Sequence, residues 1–216
     1  RKTYQIKIMI IANFKSNIVD YQKWVNDFMS SCPPVEFYVG MAPPFIYFFD
    51  NYVSRLEFWN NRDESDHDMW DMQIGAQDVD YSSGSRTGAI SVGMLEEYAI
   101  AFVIIGHSER REFFHEDNDL IRKKIHAVNG SKLRPILCIG ETKEENKEGI
   151  TKDVLKNQLE VIDGLELDKN FTIAYEPVWA IGSGLTPEPK DINEIHKYIK
   201  DVVQSNSANN LLPKIL

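Results

Sequence analysis

Phe171-Thr172-Ile173-Ala174-Tyr175-Glu176-Pro177-Val178-Trp179-Ala180-Ile181-Gly182-Ser183-Gly184 is the stretch on which the reading of this chain turns. It opens with a short apolar run of the kind that makes a buried strand. Pro177 has no backbone N–H to give the ladder, so pairing stops just after Glu176 and the carboxylate stands at the strand's C-terminal end. A lone glutamate before a proline is more often an ordinary strand-end residue. Here the loop that follows is apolar from Val178 to Ile181, where a passive surface loop would be polar. Such a loop needs something to close over.

Working outward, strands and helices alternate along the whole chain. Tyr4 to Asn13 reads as a first strand, and Ile18 to Ser31 as a helix with Tyr21, Trp24, Val25, Phe28 and Met29 at helical spacing. Val35 to Ala42 is a second strand, ended by Pro43-Pro44, with a helix expected from Phe45 to Leu56. Met72 to Val79, Phe102 to His107 and Pro135 to Gly140 follow as strands, with helices at Val92 to Ile100, Asn118 to Val128 and Thr151 to Leu165. After the Glu176 strand, Lys190 to Gln204 reads as a helix with Ile192, Ile195, Ile199, Val202 and Val203 on one face. Pro213 to Leu216 opens a seventh strand. The run from Asn60 to Asp68 holds Asp63, Glu64, Asp66 and Asp68 and reads as a solvated loop. His67 within it has no second histidine at ligand spacing, so no metal site is expected.

Near-continuous apolar strands separated by helices indicate a parallel sheet, because parallel strands need crossovers and are covered on both faces. The choice lies between a doubly wound sheet and a barrel. No Gly-x-Gly-x-x-Gly or Gly-x-x-x-x-Gly-Lys follows any strand, so the common nucleotide-binding versions lack support. The unusual polar residues instead gather after the first, fourth and sixth strands: Asn13 and Lys15, His107 and Glu109, then Glu176. A barrel brings all such ends to one face, and the barrel is the expected fold.

Composition narrows the partners. The 216 residues carry a net charge of −9 and are 43% hydrophobic, enough for a sizeable core. An acidic chain is a poor ligand for nucleic acid or anionic membranes. Two cysteines, Cys32 and Cys138, are too few for a disulfide framework and fit a reducing, cytoplasmic compartment. The apolar run from Ile6 to Ala12 is broken by Lys7 and is too short to span a bilayer.

Four stretches lie in order along the chain: Ala12-Asn13-Phe14-Lys15-Ser16-Asn17, Ile105-Gly106-His107-Ser108-Glu109-Arg110-Arg111, Ile136-Leu137-Cys138-Ile139-Gly140-Glu141 and Ala174 to Gly184, with Gly75-Ala76-Gln77 at the third strand. In these stretches the chain closely resembles the triosephosphate isomerase family. The resemblance implies a single (β/α)8 TIM-barrel domain over residues 1–216, here with about six βα units and the start of strand seven. It implies interconversion of dihydroxyacetone phosphate and D-glyceraldehyde 3-phosphate without metal or cofactor. Glu176 would be the base, His107 the electrophile, and Lys15 the cation facing the anionic substrate. Asn13 would fix the geometry of Lys15 and donate to a substrate oxygen, and Gly182, at the tip of a lid, would offer its amide to the phosphate. Glu109 would be a partner for Lys15 or a second proton carrier. Cys138, in an apolar strand, would pack against the site. His107 precedes Ser108-Glu109-Arg110-Arg111, a helical turn whose amides disfavour imidazolium.

The resemblance also implies a homodimer through the loop from Tyr81 to Ser91, with Thr87 reaching towards the partner copy's Asn13 and Lys15. Ala89 stands where the family has an acid, so one ion pair between copies, to Arg110, is expected to be missing. A full barrel runs to about 250 residues. The chain starts with Arg1 and ends at Leu216, before the glycine- and serine-bearing loops that complete the family's phosphate site, and so reads as a piece of a longer sequence. The alternative is a truncated, non-catalytic barrel fragment that keeps the catalytic residues without a grip on phosphate.

Overall fold

The computed structural model describes residues 9–18, 20–31, 38–48 and 72–216. Its strands are β1 (Met9–Asn13), β2 (Tyr38–Ala42), β3 (Met72–Ala76), β4 (Phe102–Ile105), β5 (Arg134–Ile139), β6 (Thr172–Tyr175) and β7 (Lys214–Ile215). They form one seven-stranded sheet in strict chain order, and every neighbouring pair is parallel. A doubly wound sheet would reverse its order at a switch point; this one never does. Helices α1 (Tyr21–Ser31), α2 (Val92–Glu97), α3 (Ser108–Phe113), α4 (Asn118–Val128), α5 (Lys143–Lys147), α6 (Thr151–Leu159) and α7 (Pro189–Asn206) fill the connections.

Strand side chains alternate between two cores, as the pleat demands. Val103, Ile105, Leu137, Ile139 and Ile173 pack with Ile121, Ile125, Leu155, Leu159, Ile199 and Val203 of the helices. The opposite set, Ala42, Phe102, Ile104, Ile136 and Cys138, gathers with Met9, Ile11, Ala174 and Leu216. Seven flat strands would span about 29 Å, yet residues of β1 and those beside β7 join one cluster. The sheet is therefore curled into part of a (β/α) barrel, as expected. Gly75 makes room inside it, since a Cβ there would lie 2.1 Å from the Phe102 ring.

Local chemistry sets the boundaries. In α4, Ile121, Lys124, Ile125 and Val128 are buried at helical spacing, and the Asp117 side chain accepts from Leu120 N–H as the cap. The helix expected to reach Ile100 stops at Glu97 because Ala99 turns left-handed, with φ 51°. The helix expected to reach Leu165 gives way to a 3₁₀ turn at Glu160–Ile162, and Gly164 follows with φ 70°. Strand four ends two residues earlier than expected, because Gly106 (φ 71°) turns the chain and His107 becomes the cap of α3. Val79, expected in β3, lies beyond it but is buried. The start of the first strand, residues 4–8, most of the expected 45–56 helix, and the acidic 60–68 run lie outside the described residues; Phe45–Tyr47 forms a 3₁₀ turn.

Candidate active site

Lys15, His107 and Glu176 follow the C-terminal ends of β1, β4 and β6, and the curled sheet brings them together. Glu109 stands between the first two. Lys15 Nζ donates to Glu109 Oε1 at 2.5 Å, and the other Glu109 oxygen is 3.7 Å from His107 Nδ1. His107 Nε2 is 3.6 Å from Glu176 Oε1. Cys138 Sγ, from β5, donates to the same Glu176 oxygen at 3.5 Å.

Each member is held by its backbone. Lys15 has φ 51°, a left-handed conformation that costs a non-glycine residue about 1–3 kcal/mol unless its surroundings enforce it. Two bonds do so: Asn13 Oδ1 accepts from Lys15 N–H at 3.0 Å, and Gln77 Nε2 donates to Lys15 C=O at 2.8 Å. Gln77 also donates to Ala42 C=O at 2.8 Å, tying the loop to β2. Asn13 thus holds the Lys15 backbone. His107 Nδ1 accepts from Glu109 N–H at 3.2 Å. An imidazole that accepts at Nδ1 carries its proton on Nε2, the atom that faces Glu176.

Burial pushes the Glu176 carboxyl above the ordinary carboxylate range, while His107, Cys138 and Lys15 pull the other way. Its Oε2 is buried without a hydrogen-bond partner among the described residues. Cys138 is buried, and burial followed by the Glu176 charge raises its thiol well above normal. Its side chain packs in the inner core with Phe102, Ile104 and Ile136.

Beyond Glu176 the chain forms a 3₁₀ turn, Val178–Ala180. That turn is tied to Glu141, the last residue of the Ile136-Leu137-Cys138-Ile139-Gly140-Glu141 stretch. Glu141 is fully buried and accepts from Trp179 Nε1 at 2.7 Å, from Asn146 Nδ2 at 3.1 Å, and from Tyr175 OH at 3.1 Å. Gly182 is exposed with φ 66° on the loop that follows, outside the hydrogen-bonded cluster. Gln77 and Glu141 were visible only as motif members, because the backbone groups they hold belong to other elements. The described residues contain no group of three or more side chains able to hold a metal. Among them, no helix is long and apolar enough to cross a membrane.

A curled parallel β/α sheet with a lysine, an imidazole and a partly desolvated carboxylate at its strand ends defines a β/α-barrel protein with a candidate acid–base site. The model of the family described as triosephosphate isomerase matches residues 8–215. The triosephosphate isomerase of Buchnera aphidicola is 38% identical over 95% of this chain and 80% of its own length. That of Aquifex aeolicus is 37% identical over 96% of this chain and 82% of its own. The alignment with that of Blochmanniella floridana, 38% identical, covers 76% of this chain and 61% of the relative. The chain belongs to the triosephosphate isomerase family, a family of isomerases.

Proposed function

We propose that this chain interconverts dihydroxyacetone phosphate and D-glyceraldehyde 3-phosphate through an enediolate. The reading is carried by one observation: a partly desolvated Glu176 carboxylate, one oxygen of which has no hydrogen-bond partner among the described residues, stands 3.6 Å from the Nε2 of an imidazole whose other nitrogen is occupied. Carbonyl transfer between adjacent carbons needs a base for a carbon-bound proton and a donor for the oxygen that gains charge. Glu176 removes the proton from one carbon and returns it to the next. His107 Nε2–H hydrogen-bonds the developing oxyanion, and Asn13, whose Oδ1 holds the Lys15 backbone, donates from its Nδ2 to a substrate oxygen. Lys15 supplies the positive charge that the chain's net −9 otherwise denies an anionic substrate. Gly182 and the apolar loop close over the site and exclude water, which protects the intermediate from losing phosphate.

Turnover of D-glyceraldehyde 3-phosphate in a coupled assay tests this reading directly. The acid limb of kcat/KM should fall above the ordinary carboxylate range of about 4.3. The sign follows from the role: a base works only when ionised, and burial raises the pH at which Glu176 ionises. No turnover by folded protein, or an acid limb at or below the ordinary value, defeats the assignment.

The homodimer belongs to the same proposal. Residues 83–88 are exposed, while the base of that loop is braced by Arg86 bonds to Asp80 at 3.1 Å and Tyr81 OH at 2.8 Å. Arg110, expected to lack its partner across the interface, is engaged within the chain by Asp78 at 2.8 Å and Glu116 at 2.6 Å. Sedimentation at micromolar concentration should give a dimer, and Thr87→Arg should give a monomer of reduced activity. A fully active monomer counts against it. A cytoplasmic setting fits the proposed chemistry.

A further inference from the structure

Gly140 lies between two rungs that fasten the Glu176 segment to the end of β5. Glu176 N–H donates to Ile139 C=O at 2.8 Å, and Val178 N–H donates to Glu141 C=O at 3.0 Å. Successive residues of an extended chain turn their peptide groups to opposite sides, so Gly140 presents its own N–H and C=O away from that segment. On that side β4 has already ended at Ile105. The amide of Gln158, from α6, takes the place of a strand: Gly140 N–H donates to its Oε1 at 2.8 Å and its Nε2 donates to Gly140 C=O at 3.0 Å. On the other side contact is direct, since a Cβ on Gly140 would lie 1.8 Å from the Glu176 carbonyl oxygen.

We propose that Gln158 is a positioning residue for Glu176: its amide clamps Gly140 from behind, and Gly140 sets where the backbone of the base stands. The proposal rests on Glu176 being the base. Only a side chain with both a donor and an acceptor at glutamine's reach serves both bonds. Glutamate keeps the acceptor and loses the donor, and asparagine is one methylene short. The clamp has consequences because Gln158 also lines an open cleft of about 570 Å³, with Arg111, Asn118 and Asn157. This cleft lies among the helices and apart from the Lys15–His107–Glu176 cluster. When the amide is removed, water enters from the cleft and satisfies Gly140 in many geometries instead of one.

The test uses the unaltered chain, Gln158→Met and Gln158→Glu. Misplacement of a reacting group by about 1 Å costs up to about 10²-fold. Q158M should therefore lower kcat about 10- to 100-fold with KM within about twofold, and Q158E should retain more of kcat than Q158M. A second readout needs no turnover: in carbon-13-labelled protein, the Glu176 carboxyl should titrate closer to the ordinary range in Q158M, as the released backbone lets it leave its buried position. Should the unaltered chain fail to isomerise, the reaction proposed above falls, while the Glu176 titration still decides the clamp. In whichever variant folds, an unchanged kcat together with an unchanged Glu176 titration overturns the proposal, even if the melting temperature drops.

Discussion

Glu176→Gln is expected to lower kcat by about 10²–10⁴-fold, the range for removing a positioned general base, with KM changed only a few-fold. The substitution keeps the size of the side chain, and its carbonyl oxygen still accepts from the Cys138 thiol that now meets Oε1. What disappears is the capacity to take a proton. Glu176→Asp separates charge from reach: the carboxylate survives but is drawn back by about one methylene, and a misplacement of about 1 Å costs up to about 10²-fold. The two variants should therefore rank below the unaltered chain in the order Asp, then Gln. A kcat for E176Q within threefold of the unaltered chain would remove Glu176 from the mechanism, whatever its distance from His107.

The second large effect concerns stability. Lys124 is buried on α4 and donates to Asp78 at 2.6 Å and to Glu116 at 2.5 Å. Arg110 closes the square from α3 by meeting the same two acids. Each charge in this network was taken out of water on condition that its partners remain. Breaking a buried pair on one side leaves the other charge uncompensated and costs about 3–5 kcal/mol. Lys124→Met should do so, lowering the melting temperature by about 6–20 °C for a chain of this size. Removing an acid together with the lysine, as in the Lys124→Met, Glu116→Gln pair, should restore part of the loss. The pH dependence has a definite sign. Burial already holds Asp78 above its ordinary value while Lys124 pulls it down. Without Lys124 the folded state favours protonated Asp78 more strongly, so the deficit should narrow as pH falls through that raised value. A loss under about 1 kcal/mol in denaturant melts would show that the network does not depend on Lys124.

The parts of the fold that sequence made legible are those whose cause is local. Proline at 177 and the unbroken apolar run of Phe102 to Ile105 act within a few residues, and they place the strand ends closely enough to bring Lys15, His107 and Glu176 to one face, whereas the turn at Gly106 that ends strand four early is not anticipated. The left-handed turn at Ala99 was not legible, because alanine carries no signal for it; Ile100 N–H donating to Leu95 C=O closes the helix end around it. The five-residue helix α5 was missed although Thr142 and Glu145 form a capping box, a spacing that single-sequence reading can find. In the site, the ends of the charged chain were legible and the amides that hold them were not. Gln158 bonds to a backbone group 18 residues away in sequence, and nothing in its own neighbourhood marks it. Gln77 and Glu141 lie between these cases: both stand in recognisable motifs, but Gln77 holds a backbone carbonyl 62 residues away and the three donors to Glu141 come from two other segments.

Phe102 occupies, inside the curled sheet, the space that a side chain at position 75 would need. Positions 75 and 102 are therefore two claims on one volume. Neither can drift alone: enlarging Gly75 evicts the ring, and shrinking Phe102 leaves a void that only a larger residue at 75 can refill. The path between a glycine–phenylalanine pairing and its reverse runs through an intermediate that is either crowded or hollow, so each lineage that settles on one arrangement is held there by the other residue.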